Sequence, residues 1–219
     1  MLVYNNYRKA TIHYFNNWSS SYDKGLWGLY FRACYKKVLA TVKEHIKSGD
    51  KILDLGCGTG DLAIKISYLL DNNGEVIGLD ISQGMIGIAN HKKTKYTIKD
   101  NKLKFIVGDS NNLPFPDEYF DLIFCLNSFH HYLDQKKTIG EIIRVLKTGG
   151  VFIILDPFLD NVLRRFWGKI LVHLFKEPYA IYHTRESLRT FFKNTKMILL
   201  RQNVFLYFIL ISVYKKLEK

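Results

Sequence analysis

The sequence predicts an α/β protein built on a doubly wound, mostly parallel sheet that a C-terminal antiparallel hairpin completes. Three observations carry this expectation. Short apolar runs alternate with helix-length stretches through the middle of the chain, which is the pattern of parallel strands with covering helices. Three of those runs end in Asp (Asp80, Asp109 and Asp156), and "KILDLG" carries Asp54 just ahead of a glycine turn. Polar groups thereby gather at the carboxyl edge of the sheet, where open α/β sheets bind their ligands. Finally, two apolar runs near the C-terminus, around "MILL" and "NVFLYFILISVY", are placed to pair as the hairpin.

Taken in order, the elements begin with an aromatic-rich segment, "TIHYFNNWSSSYDKGLWGLYFRACYKKVLATVKEHI", whose second half reads as a helix. The strands expected next are "KILDLG", "EVIGLD", "KFIVGD", "FDLIFCLN" and "GGVFIILDP". Between them, Ser82 is an N-cap for a helix over "QGMIGIANHKK", and "QKKTIGEIIRVLK" reads as a helix stopped by Gly149 and Gly150. From Asn161 to Phe175 the residues Val162, Leu163, Phe166, Trp167, Ile170, Leu171, Leu174 and Phe175 fall on one helical face, opposite Arg164, Arg165 and Lys169. That stripe suits packing on the core, a lid over an apolar substrate, or contact with a membrane surface. The expected organisation is one domain over 1–219: a helical cap at 1–47, a ligand-binding core at 48–157, a helical lid at 158–195 and terminal strands at 196–219.

Composition narrows the class. With 219 residues, 47% hydrophobic and 24% charged, the chain has the balance of a globular protein. Cys34, Cys57 and Cys125 are odd in number and widely spaced, so they suggest neither a disulfide framework nor a metal site, and the absence of a signal-peptide pattern points to the cytoplasm. The longest apolar run, Val204 to Tyr214, falls short of the roughly 20 residues a spanning helix needs and reads as a buried strand. The net charge of +12 is mostly dispersed lysine. Its one dense segment, "HKKTKYTIKDNKLK" from His91 to Lys104, reads as a solvated helix end and loop, with a nucleic-acid patch as the lesser reading.

The turn "GCGTGD" raises the question of what it holds. A phosphate-binding P-loop would need Gly-Lys where Asp61-Leu62 stands. A dinucleotide fingerprint started at Gly56 would put its third glycine at Asp61, and a carboxylate there repels a pyrophosphate. A cationic ligand without phosphate, such as S-adenosylmethionine, suits glycines that expose the backbone beside nearby carboxylates.

The set "LDLGCGTGD", "GLDIS", "GDSNNLPFPDEYFDLIF" and "GGVFIILDP", in this order and spacing, resembles the class I S-adenosylmethionine-dependent methyltransferases over about Tyr22 to Pro157. With "YDKG" and "LPFPDEYFDLI", the layout looks most like the branch containing ubiquinone and menaquinone methyltransferases and many small-molecule enzymes. This resemblance implies a Rossmann-like fold with a seven-stranded sheet, and it implies roles residue by residue. Gly56, Cys57 and Gly58 would line the methionine portion of the donor, with Asp54 ordering the turn or facing the amino group. Asp80 would accept from both ribose hydroxyls. Ile81 and Met85 would clamp the adenine, Asp109 and Ser110 would take its amino group, Asn127 would lie near the reactive methyl, and Tyr22 would close over the donor.

For the acceptor, His130 and His131 are the candidate general bases, since imidazole titrates near neutrality. Enzymes that methylate amino groups of nucleic acids generally carry Asp or Asn, two prolines and an aromatic at the fourth strand end, where this chain has "NSFH". Quinone enzymes usually carry a Gly-aliphatic-Arg-Asn sequence there, and this chain has "LNSFHHY". The expected acceptor is a small, aromatic or apolar molecule. An RNA- or protein-directed methyltransferase using the basic surface, and a nicotinamide-dependent oxidoreductase, stand as alternatives.

Overall fold

A computed structural model describes residues 2–70, 73–161, 164–166 and 180–218. Two helices, α1 (Leu2–Trp18) and α2 (Gly25–Lys43), precede the sheet. There follow β1 (Lys51–Leu55), α3 (Asp61–Ser67), β2 (Glu75–Asp80), α4 (Gln83–Lys95), β3 (Leu103–Val107) and β4 (Phe120–Leu126). A 3-10 turn at Phe129–His131 leads into α5 (Gln135–Val145), β5 (Leu146–Pro157), α6 (Arg185–Thr190), β6 (Met197–Phe205) and β7 (Ile209–Lys216). The seven strands order as β3-β2-β1-β4-β5-β7-β6. β1 to β5 pair in parallel, and β7 runs antiparallel to both β5 and β6.

Strand alternation splits the core in two. On one face, Ile153 and Leu155 of β5 pack with Phe31 and Val38 of α2, Ile66 of α3 and Ala89 of α4. On the other, Phe152 and Ile154 pack with Ile139 and Ile142 of α5 and Leu188 of α6. Each fully buried aliphatic or aromatic side chain contributes about 1.5–3 kcal/mol. Because the chain reverses order between β1 and β4, the loops after both strands open into one crevice at their carboxyl ends.

Ser82 caps α4 as expected, its Oγ accepting the Met85 N–H at 3.1 Å. Several expectations need correction. The first half of the N-terminal segment is helical too, forming α1. α5 stops at Val145, before the glycines, because buried Leu146 already pairs with Phe120 of β4. Lys147 to Gly150 are then extra residues in the β4–β5 ladder, and Gly149, at φ +79°, turns a bulge in β5 rather than ending a helix. The run Val204–Tyr214 is not one buried strand. It breaks at Leu206–Phe208 into the ends of β6 and β7, and Val204 is exposed. The apolar stripe from Val162 to Phe175 lies outside the described residues except at 164–166.

The basic segment is only partly solvated. Lys93 is buried and pairs with Asp100, Lys104 pairs with Glu75 at 3.0 Å, and Lys92 pairs with both Asp23 and Asp61.

Candidate functional site

The glycine turn after β1 is held from two sides. Gly56 N–H and Cys57 N–H both donate to the Leu79 carbonyl at the end of β2, at 2.8 and 3.1 Å. From the other side the segment after β4 presses on Gly56, whose φ is +77°. A Cβ there would lie 2.4 Å from Ser128 Oγ and 2.8 Å from the Tyr132 hydroxyl. Ser128 Oγ also bonds the Leu55 carbonyl at 3.1 Å and reaches Cys125 Sγ at 3.0 Å, so the ends of β1 and β4 are tied together beneath the turn. Gly58 differs: at φ +52°, a Cβ on it would meet only Tyr22, at 3.9 Å, which leaves its backbone facing open space.

That space is an open cleft at the carboxyl edge of the sheet. Gly56, Gly58, Asp80, Ile81 and Met85 form one wall. Asp109, Ser110 and Asn127 form the next, with Tyr22 and His131 closing it. Asp80 is fixed by the backbone: Oδ2 accepts from Gly58 N–H and Oδ1 from Ser82 N–H, each at 2.9 Å. Burial raises its pKa, and these amide donors oppose the rise. A carboxylate has about four acceptor positions, so each oxygen retains capacity for a ligand donor.

Asp54, Cys57 and His130 do not line the cleft. Asp54 lies on the β1 ladder and accepts from Ala63 N–H, joining the strand to α3; burial first, and the charge of Asp80 second, push its carboxyl well up. Cys57 directs its thiol back to the Gly58 carbonyl at 3.8 Å. Ser110 lines the cleft, but its hydroxyl bonds Thr138 of α5 at 3.1 Å. Asn127 holds φ +49° and accepts from the Tyr30 hydroxyl at 3.0 Å. Asp61, whose charge motivated the choice of ligand, is outside the cleft and is neutralised by Lys92 at 2.7 Å. The negative charge that the cleft presents comes from Asp80 and Asp109 instead.

Sequence reasoning missed the contribution of α1. Tyr7, Arg8, Thr11 and Phe15 line the cleft, and Tyr7, Thr11 and Phe15 share one face at i, i+4, i+8, which is the signal that would have found them. α1 is anchored over the site at both ends. Asn16 Oδ1 accepts from Ser82 Oγ at 2.7 Å and Gly84 N–H at 2.9 Å, and the Tyr7 hydroxyl donates to the His131 carbonyl. Arg8 Nε lies 3.3 Å from Asp109 Oδ2.

The two adjacent histidines have different surroundings. His130 is buried, its Nδ1 2.9 Å from Asp156 Oδ1, its backbone N–H bonded to Asp156 Oδ2 and its ring stacked on Tyr182. His131 is also buried, 7% exposed, but its Nδ1 has no hydrogen-bond partner among the described residues, and its ring meets Phe15 edge-on at 5.0 Å. Burial, with His130 adding to it, holds the His131 pKa well below the usual histidine value, so its imidazole is neutral at neutral pH. His131 lines the cleft, and a neutral imidazole there can accept a proton or bond a ligand hydroxyl.

The donor set of the cleft fits a cationic ligand better than a phosphate. Asp80 and Asp109 are lining carboxylates, and among the described residues the one cationic side chain in the wall, Arg8, is already paired with Asp109. The backbone of Gly58 and the remaining lone pairs of Asp80 suit S-adenosylmethionine, whereas a pyrophosphate would find carboxylates and no unpaired lining cation. Among the described residues no group of three or more His, Cys, Asp or Glu is placed to hold a metal ion.

Comparisons with known proteins agree with this geometry. A family model described as a methyltransferase domain matches residues 46–195. The chain is 32% identical over 157 residues to the ubiquinone/menaquinone biosynthesis C-methyltransferase UbiE of Francisella philomiragia, covering 67% of this chain and 62% of that protein. It is 32% identical over 182 residues to a demethylmenaquinone methyltransferase of Staphylococcus haemolyticus, covering 81% of this chain and 70% of the relative. The chain thus spans less than two thirds of the Francisella protein. Among solved structures, a SAM-dependent methyltransferase from Aquifex aeolicus superposes with a TM-score of 0.66 at 22% identity, over 84% of this chain and 89% of that one, which speaks for the fold.

Proposed function

The chain belongs to the methyltransferase-domain family, as a class I S-adenosylmethionine-dependent member, and from that premise we propose that it methylates a small, apolar or aromatic acceptor in the cytoplasm. The observation that carries this reading is a cleft lined by both the backbone-anchored Asp80 carboxylate and the His131 ring. The names of the relatives support carbon as the methylated atom.

On this reading Asp80 would hold the ribose hydroxyls, Ile81 and Met85 would flank the adenine, and Gly56 and Gly58 would expose backbone to the methionine portion. Asp109 and the backbone at Ser110 would face the adenine amino group, with Tyr22 and Asn127 near the reacting end. S-adenosylmethionine supplies, when bound, a methyl group already activated by its sulfonium. The protein's share is alignment and exclusion of water. α1 and Tyr22 would roof the site, Phe15 and Tyr7 would give the acceptor an apolar wall, and His131 Nδ1 would take the proton an acceptor loses. His130 and Asp156 would fix the backbone that presents His131, while the segment 158–195 would serve as lid in a single domain. The ion pairs of Lys92, Lys93 and Lys104 take up half of the lysines of the basic segment, which weakens the case for RNA and favours a small acceptor.

The test is calorimetry with S-adenosylhomocysteine and, separately, NAD. Binding of the first and not the second is expected, with at least about a tenfold weakening in Asp80→Ala, the scale of lost charge-assisted bonds. Preferential NAD binding would overturn the reading, and undiminished binding in the variant would remove Asp80 from the ribose site.

A further inference from the structure

The turn between β6 and β7 is built against its own chemistry. It links Phe205 to the opposed Ile209 through Leu206, Tyr207 and Phe208, and its first two residues hold φ +48° and +59°. Hairpins ordinarily recruit Asn or Gly for that conformation, because a larger L side chain is strained by about 1 kcal/mol or more. Nor are these side chains buried in exchange, since Leu206 is 45%, Tyr207 55% and Phe208 41% exposed. Strain that leaves apolar side chains about half exposed to solvent is poorly repaid by packing, which points to a functional use of the turn.

The surroundings extend this tip. Phe208 stacks at 6.4 Å on Tyr30 of α2, and Leu26, four residues earlier on the same helical face, is 84% exposed. Arg164 lies 4.4 Å over the Tyr207 ring and donates from Nε to the Tyr207 carbonyl at 2.9 Å. Neither Arg164 nor its exposed neighbour Arg165 has a carboxylate partner among the described residues. The acidic groups nearest along the chain, Asp160 and Asp23, are neutralised by Arg185 and Lys92.

We infer that this face, a projecting Leu-Tyr-Phe tip beside Leu26 with arginines at its rim, docks on an anionic phospholipid surface. Tyrosine and arginine suit the headgroup layer and leucine and phenylalanine the acyl boundary below it. The net charge of +12 supplies the long-range attraction. A convex three-residue tip falls short of the roughly 1,200–2,000 Å² that a stable protein interface buries, whereas lipid accommodates a wedge. The surface is also next to the cleft: Tyr30, which stacks on Phe208, bonds Asn127 in the cleft wall. Docked here, the protein would meet an apolar acceptor at the membrane surface, although the inference does not depend on the proposed reaction.

The experiment is co-sedimentation of the full chain with vesicles of phosphatidylcholine alone and of phosphatidylcholine with phosphatidylglycerol, beside the double variant Leu206→Asn/Tyr207→Gly and the single variant Leu26→Ser. Asn and Gly suit the backbone of the turn, so the double variant should keep or raise its thermal midpoint and keep its S-adenosylhomocysteine affinity. Wild type should bind the anionic vesicles, and the partition coefficient should fall about tenfold or more in the double variant and severalfold in Leu26→Ser. The inference is overturned if wild type ignores anionic vesicles or if the variants bind as wild type does, the latter meaning that dispersed lysines suffice. It is overturned equally if wild type is a dimer that the double variant dissociates, since a second copy would then cover the face.

Discussion

Lys92 Nζ lies 2.6 Å from Asp23 Oδ2, joining α4 to the α1–α2 connection directly above the glycine turn. The same ammonium reaches Asp61 Oδ1 at 2.7 Å and Thr59 Oγ1 at 3.0 Å, and Thr59 bonds Asp23 in turn. All three charged side chains are less than a third exposed. Lys92→Met would leave two carboxylates facing each other without their common cation, and a loss of about 1–3 kcal/mol is expected for a partly buried network of this kind. Because Tyr22, next to Asp23, lines the cleft, the donor should also leave severalfold faster. Thermal unfolding and stopped-flow dissociation of S-adenosylhomocysteine test the two effects. A variant as stable as wild type with an unchanged off-rate would show that this latch holds nothing.

Gly56→Ala tests the packing of the segment after β4 on the donor loop. The added methyl would be 2.4 Å from Ser128 Oγ in a backbone at φ +77°, so clash and strain act together. A destabilisation of about 2–4 kcal/mol is expected. Part of it should return in Gly56→Ala/Ser128→Gly, which removes the two Ser128 contacts and leaves the strain and the Tyr132 hydroxyl at 2.8 Å. Denaturant midpoints of the single and double variants decide it; no recovery at all would mean that the Ser128 contacts contribute nothing to the cost.

The strands were legible because their runs alternate with helices and three of them end in an Asp whose place at a strand end needs a reason. Asp80 and Asp109 followed from that pattern, and both line the cleft. What escaped depends on contacts distant in sequence or on broken local rules. Ser128 and Tyr132 matter because they bond the Leu55 carbonyl 73 and 77 residues away, which no local pattern encodes. Thr11 and Phe15 were hidden in a segment read for its aromatic content rather than its period, and Tyr7 lies just ahead of it on the same helix. Lys92 looked like one more solvated lysine, since its partners come from two other parts of the chain. The β6–β7 turn was invisible because Leu206–Phe208 continues an apolar run and offers none of the residues that announce a turn.

His131 makes a prediction whose sign is fixed by its surroundings. Burial, with His130 adding to it, depresses the folded-state pKa well below the ordinary 6.5. Between those two values the unfolded chain binds a proton that the native state does not, so stability rises with pH there. The contribution is fully present above about 6.5 and is lost as the pH falls toward the folded value. His131→Gln should therefore lose less stability than wild type on going from pH 7.5 to pH 5.5 in urea unfolding. Some slope should remain, because burial also lowers His45 and His183. Ring nitrogen-15 signals of His131 should stay those of a neutral imidazole at pH 6. The same property bears on the reaction: a base with a depressed pKa stays available in mild acid, so the acid limb of the rate profile should fall below the ordinary histidine range. If the His131 ring protonates near 6.5, or if the Gln variant keeps the full wild-type slope, the nitrogen is solvated in the native protein and cannot be the desolvated base proposed for the cleft.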